Sequence, residues 1–265
     1  MWCVISDLDG TLLTGKQEIS NETYDCITSY IEKGGYFTFA TGRSLQSALP
    51  FIKQLNIQLP VILYNGARIY HPITKQYIYQ QSIEAEKVQQ VMDLYNELKK
   101  VKEVSMLAFD QNGAYYLDFN PYIERQVKKD GILAEKVTEQ QIMRKEIIKL
   151  LFIDDPETIQ FYLSFFHSFN TVNSEPELLE ILPYNANKGI ACEFLINYLQ
   201  LSIDQLVTVG DNCNDVEMIR LAKYGVAVNN ANLYVKKIAK HVTTQTNEEN
   251  AIGELLNWLP KKINI

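Results

Sequence analysis

The chain has 265 residues, 46% of them hydrophobic, which is enough for one large or two medium domains with a sizeable core. Its net charge is −7 and no basic run stands out, so nucleic acid is not an expected partner. No apolar stretch approaches the roughly 20 residues that span a bilayer, and no charged segment precedes the short apolar start, so neither a membrane span nor a signal peptide is expected.

The first strand runs from Trp2 through Val4 and Ile5 straight into Asp7-Leu8-Asp9-Gly10-Thr11-Leu12-Leu13. Ser20 is placed to cap a helix reaching about residue 33, where Gly34-Gly35 stop it. A second strand over 36–40 leads to Thr41-Gly42-Arg43-Ser44 and a helix to about 55, and a third apolar strand over 60–64 ends at Asn65-Gly66. This alternation implies a parallel sheet with helices on both faces. Segments 67–70 and 76–81 read as a hairpin around Pro72.

After Ser82 the pattern changes. An amphipathic helix is expected over 84–100, with Val88, Val91, Leu94, Tyr95 and Leu98 on one stripe. A strand pair over 104–109 and 114–119 turns at Asn112-Gly113. Beyond a stretch with no assigned element come a strand over 147–153, a helix over 156–167 and strands near Thr171 and Leu179. Antiparallel strands with two helices suggest a compact α+β unit. From Asn187 the helix–strand alternation resumes, so the fold class is α/β: a parallel-sheet core interrupted by an inserted α+β domain.

The chemistry-bearing residues stand at strand ends. Open parallel sheets bind ligands beyond the carboxyl ends of their strands, and Asp7 and Asp9 sit at such an end. Like charges this close push one pKa up, so one carboxylate can be a nucleophile and the other a proton donor; Asp-Gly is also a common turn pair. Leu206-Val207-Thr208-Val209-Gly210 repeats the pattern and delivers Asp211 and Asp215, which share a face if they open a helix. Helix capping accounts for one such acid better than for two plus Asn214. Two acidic strand ends far apart in sequence suggest one metal site, made when the chain folds back on itself.

Three further features are weaker. Thr41-Gly42-Arg43 offers a hydroxyl and backbone N–H groups at a helix N-terminus, which suit an anionic oxygen, although Thr-Gly after a strand is often only a turn. Lys188 opens a helix against its dipole, so something else is expected to hold it, unless it is a surface lysine. Gly10-Thr11-Leu12-Leu13-Thr14-Gly15-Lys16 matches most of a P-loop, but Gln17 stands where the Mg²⁺-binding hydroxyl belongs, so a P-loop NTPase is set aside. Cys3, Cys26 and Cys192 read as small core residues in a reducing cytoplasm, and Cys213 has no visible partner.

Asp7-Leu8-Asp9-Gly10-Thr11, Ala40-Thr41-Gly42-Arg43, Asn187-Lys188-Gly189 and Gly210-Asp211-Asn212-Cys213-Asn214-Asp215 together resemble the four ordered motifs of the haloacid dehalogenase superfamily. Their spacing, with the large insert between the second and third, resembles its Cof-type phosphatases, as does Gly225-Val226-Ala227-Val228-Asn229-Asn230-Ala231. The resemblance covers 1–82 and 184–265, a discontinuous Rossmann-like core, and implies that 83–183 is a mobile α/β cap. It implies Asp7 as the nucleophile that forms an aspartyl-phosphate, and Asp9 as general acid and base. It also implies Mg²⁺ held by Asp7, the Asp9 carbonyl and Asp211. Thr41, Gly42, Lys188, Asn214 and the Leu8 amide would hold the phosphoryl oxygens, with Asp215 in support. Asn250 stands where many relatives have glycine, a change expected to be structural.

The electrostatics agree with that implication. Unit charges about 4 Å apart interact by roughly 4 kcal/mol at an effective dielectric of about 20, so an anionic Asp7 meeting a phosphate needs Mg²⁺ and Lys188 to offset the repulsion. The expected activity is hydrolysis of a small phosphorylated metabolite in the cytoplasm, by a monomer or small homo-oligomer with no nucleic-acid or membrane partner. Phosphoryl transfer to a sugar, as in related mutases, and a non-catalytic sensor of a phosphorylated ligand stay open as alternatives. The insert is expected to choose the substrate, with polar groups from Asn120 to Arg125 as its candidates.

Overall fold

The computed structural model describes residues 1–259. The chain divides into two compact units. The first holds Met1–Gly42, Ala48–Tyr79 and the chain from Asn187 onward; the second holds Arg43–Ser47 and Gln80–Ala186.

The first part of the chain supplies β1 (Cys3–Ser6), α1 (Asn21–Glu32), β2 (Tyr36–Phe39), α2 (Leu45–Gln54), β3 (Val61–Leu63), β4 (Arg68–His71) and β5 (Gln76–Gln80). Ser20 caps α1 by accepting from the Thr23 backbone N–H, and the chain leaves the helix through Gly34 at φ 87°. β3 departs from the expected run of parallel strands. It joins β2 through a single parallel bridge, Ala40 to Ile62, then pairs antiparallel with β4. The chain must leave the sheet at Thr41, whose N–H still reaches the Ile62 carbonyl at 2.9 Å, so the two short strands have room for one bridge only.

The second unit contains α3 (Ala85–Lys99), β6 (Ser105–Phe109), β7 (Ala114–Tyr116), α4 (Pro121–Asp130), β8 (Ala134–Lys136), α5 (Glu139–Ile142), β9 (Lys149–Ile153), α6 (Pro156–Leu163), β10 (Asn170–Val172) and β11 (Leu178–Leu182). The strands form one sheet in the order β10-β11-β9-β6-β7-β8. Met106, Ala108, Leu150, Phe152, Leu179 and Ile181 alternate along its central strands and pack with Val91, Met92 and Tyr95 of α3 into one core.

The unit has four helices among the described residues rather than two, and β7 pairs with β8 in parallel. A parallel neighbour needs a crossover, which α4 provides. The sequence hides α4 because only Ile123 and Gln126 of it are buried, so it has almost no apolar stripe. Its ends are better marked: Asn120 caps it ahead of Pro121, and Gly131 closes it at φ 61°. Asn120 is 4% exposed; its oxygen accepts from the Ile123 N–H and its amide donates to Ser105 Oγ at 2.7 Å. Arg125 pairs with Glu177 at 2.7 Å. At one end of the polar stretch singled out for substrate selection, Asn120 is thus bonded within the unit's own structure, while Arg125 at the other end stays exposed in a surface ion pair.

The chain then returns to the first unit with α7 (Lys188–Tyr198), β12 (Leu206–Gly210), α8 (Val216–Leu221), β13 (Tyr224–Ala227), α9 (Leu233–Ile238), β14 (His241–Val242) and α10 (Ala251–Trp258). Its sheet is parallel in the order β14-β13-β12-β1-β2, with Cys3 opposite both Leu206 and Tyr36. Cys3, Ile5, Ile62 and Ile69 from strands pack with Ala191, Cys192 and Leu195 of α7. Cys26 is half-buried rather than a core residue, and Cys213 is exposed. Asn250, at φ 72°, caps α10 by accepting from the Gly253 N–H. No described helix is long and apolar enough to cross a membrane.

Candidate active site

β1 and β12 are neighbours, so the strand ends that the sequence separates by two hundred residues lie side by side. The Asp7 N–H donates to the Val209 carbonyl at 2.9 Å, fixing the turn that carries Asp7 against the end of β12. Leu8 is fully buried, and its carbonyl accepts from the Leu12 and Leu13 N–H groups at 3.0 and 2.8 Å, so the chain doubles back at once. Asp9 lies half-buried in that turn and bridges to Leu13.

Lys188 joins the two acidic ends. It opens α7, whose cap is Asn187, and it is wholly buried. Its Nζ donates to Asp7 Oδ1 and to Asp215 Oδ1, each at 2.6 Å. The dipole that disfavours a lysine at this helix end is therefore overcome by two carboxylates. Gly66 permits the placement: it sits at φ 100°, and a Cβ there would lie 2.2 Å from the Asn187 carbonyl oxygen.

Asp211 and Asp215 do not share a helix face. A 3-10 turn, Cys213–Asp215, intervenes before α8, and Asp215 turns back so that its Oδ2 accepts from the Asp211 and Asn212 N–H groups at 3.0 and 3.1 Å. Asp211 is held instead by Thr11, whose Oγ1 donates to Asp211 Oδ1 at 2.9 Å. Gly210 makes the loop possible, since a Cβ there would lie 2.5 Å from the Asp215 carboxylate. Thr11 is a site residue that sequence reasoning did not single out; its place directly after Gly10 was the available signal.

The other predicted residues gather nearby. Thr41 is fully buried, and its carbonyl accepts from the Asn65 N–H at 2.9 Å. Asn65 in turn accepts from the Asn214 side-chain amide at 3.0 Å. A Cβ on Gly42 would lie 2.9 Å from Asn65 Nδ2. Asn65 thus ties the Thr41-Gly42 loop to Asn214. The segment after β13 closes the far side: the Asn230 side-chain amide donates to the Gly10 carbonyl and the Asn232 N–H to the Asp211 carbonyl.

The charges do not balance. Asp7, Asp211 and Asp215 each bring a carboxylate oxygen within 4.8 Å of the others, with the Lys188 ammonium among them. Burial pushes the Asp7 carboxyl well above the usual range; Lys188 opposes the shift, and Asp215, Asp211 and Asp9 add to it. Burial and then the Asp215 charge push Asp211 up to about 6. Burial alone would pull Lys188 down, but Asp215 and Asp7 outweigh it and hold the ammonium. Three acids around one lysine leave a surplus of negative charge that a divalent cation fits, and carboxylate oxygens are the donors that hard cations prefer.

The comparisons with known proteins agree. The family model for haloacid dehalogenase-like hydrolases matches residues 4–256. The chain is 29% identical to YitU of Bacillus subtilis, a 5-amino-6-(5-phospho-D-ribitylamino)uracil phosphatase, over 96% of each protein. It is 27% identical to the phosphatase YwpJ of the same organism, covering 98% of this chain and 100% of YwpJ. Among solved structures it resembles TM0651 from Thermotoga maritima, with a TM-score of 0.85, 28% identity and 99% of each chain covered.

Proposed function

The chain belongs to the haloacid dehalogenase-like hydrolases and is a phosphatase of that family, and from that premise we propose that it hydrolyses a small phosphorylated metabolite, a sugar phosphate or similar phosphomonoester, through an aspartyl-phosphate on Asp7. The observation that carries this reading is the wholly buried Lys188, 2.6 Å from Asp7 and 2.6 Å from Asp215. A buried ammonium between two carboxylates is costly as structure alone. It is useful where an anionic nucleophile must meet an anionic ester.

In the proposed reaction an Asp7 oxygen attacks phosphorus, and Asp9 gives its proton to the departing alkoxide. The ester P–O bond breaks as the acyl phosphate forms. Asp9 then takes a proton from water, whose oxygen attacks the same phosphorus and returns Asp7 as carboxylate with free phosphate. Thr41, the Gly42 and Leu8 amides, Asn214 and Lys188 hold the phosphoryl oxygens, and Asp215 positions Lys188. Asp7, the Asp9 carbonyl and Asp211 would hold Mg²⁺, which supplies positive charge to the phosphoryl oxygens when bound. The substrate of YitU is a phosphorylated ribityl compound, which supports a sugar-like leaving group here.

An aryl phosphate assay tests the reading. The parent should release phosphate with Mg²⁺ and fall silent in excess chelator. Asp7→Asn should abolish turnover with the fold intact, because an amide is a poor nucleophile. Activity within about tenfold of the parent, a difference of only about 1.4 kcal/mol in barrier, would exclude Asp7 as nucleophile. A panel of phosphorylated metabolites then gives the substrate, and an isomerised sugar phosphate in place of free phosphate would mean transfer rather than hydrolysis.

A further inference from the structure

The sheet edges of this protein are not alike. β14 is two residues long, and its His241 ring stacks on Trp258 of α10 with centroids 4.0 Å apart. β10 and β8, the edges of the second unit's sheet, have three residues each, and β8 carries Glu135 and Lys136. Shortness, covering and charge are the ways in which an edge avoids pairing with another chain. Among the described residues β5 shows none of them. It is five residues long and ends the order β3-β4-β5, so among the described residues no strand pairs with its outer side. Gln76-Tyr77-Ile78-Tyr79-Gln80 contains no charge, glycine or proline, and its outer glutamines are exposed.

That edge is also palindromic, reading the same in both directions about Ile78. In an antiparallel pair about a twofold axis, each residue faces the one equally far beyond the axis. With the axis at Ile78, Gln76 meets Gln80 of a second copy, Tyr77 meets Tyr79, and Ile78 meets itself. Every cross-strand pair then joins like with like, polar with polar and aromatic with aromatic. A pair of five-residue strands alone falls short of the roughly 1,200 Å² that a stable dimer buries. The surface beside the edge extends it: Tyr79 packs on Phe194 at 4.8 Å, Phe194 stacks on Tyr198 at 6.4 Å, and Tyr198 is 46% exposed. Ile73, in the turn that precedes β5, is 62% exposed.

We propose that β5 is a homodimerisation edge, at which two copies of this chain join antiparallel about a twofold axis at Ile78. The contact is isologous, so it closes: once paired, neither copy has a β5 edge left to extend. An uncharged five-residue edge without a partner would instead be a template for aggregation.

Sedimentation equilibrium of the full chain between roughly 1 and 500 µM reads the dimer directly. The mass should rise from one chain to two. The double variant Gln76→Lys, Gln80→Lys, altered only at exposed positions, should stay at one. A parent that keeps the single-chain mass throughout overturns the proposal. So does a lysine variant that dimerises as strongly as the parent, or a mass that climbs beyond two chains. Hydrogen exchange of 76–80 needs no variant: protection there should rise with protein concentration, and exchange independent of concentration overturns the proposal as well.

Discussion

Lys188 shows what burial adds at the scale of one residue. Its partners lie 181 and 27 residues away in sequence, and its side chain has no exposure at all. Lys188→Ala should therefore lose two things. The rate should suffer as when a preorganised charge-stabilising group is removed, a fall in kcat/KM of about 10²–10³ or more. Stability should fall too, because breaking a buried pair costs about 3–5 kcal/mol, or roughly 10 °C in melting temperature for a chain of this size. Steady-state kinetics and thermal unfolding in chelator check both, and a nearly fully active variant would reduce Lys188 to a structural role. In the sequence Lys188 is a cation at the wrong end of a helix, which the motif resemblance sets against a phosphoryl group. That it is buried follows from the packing of α7 and from Gly66, which no local pattern discloses.

At the scale of elements, α4 and the turn between β6 and β7 make separate cases. Asn120 is a helix cap bonded to Ser105, so Asn120→Ala should cost about 1–2 kcal/mol in unfolding free energy and leave the order of preferred phosphate esters unchanged. Denaturant melts and a metabolite panel would show it, and a reordered panel would make Asn120 a substrate contact after all. In the β6–β7 turn, Asp110 Oδ1 accepts from the Asn112 and Gly113 N–H groups, and Oδ2 pairs with Lys145 at 3.1 Å. Burial alone would raise its pKa, but those hydrogen bonds and Lys145 outweigh it and hold the carboxyl below its usual value. The stabilisation is therefore complete above the unfolded value of about 3.9 and disappears as pH falls through the lower folded value. Asp110→Asn should melt below the parent at neutral pH, with the gap closing in strong acid. A gap that stays constant with pH would mean that the charge contributes nothing.

For the whole molecule, the division of labour between the two units is the matter to test. A site that grips only phosphate cannot distinguish one ester from another, so selectivity requires contacts with the leaving group. We expect the inserted unit to supply them. Exchanging Gln80–Ala186 for the insert of a relative should reorder the metabolite panel while small aryl phosphates are still cleaved. An unchanged order would locate selectivity in the first unit. Either result leaves the proposed role of Asp7 standing, because Lys188 and Val209, which hydrogen-bond to Asp7, belong to the first unit.

The sequence by itself determined the parallel strands, the acidic strand ends and the interruption between them. Each is written in local apolar runs and turn residues, and the runs in β1 and β12 are buried throughout because both faces of a parallel sheet are covered. Ser20 and Gly34 bounded α1 for the same local reason. Tertiary structure alone decided the rest. α4 stayed hidden because a crossover on the surface needs caps rather than an apolar stripe. The single bridge between β2 and β3 depends on where Thr41 leaves the sheet. Asp211 and Asp215 looked like neighbours on one helix face, yet Asp215 turns back to hold two backbone N–H groups and Lys188, while Thr11 holds Asp211. Spacing along a chain states which residues can share an element. Which charges share a proton, a partner or a cation depends on distances across the fold, and those exist only once β1 lies beside β12.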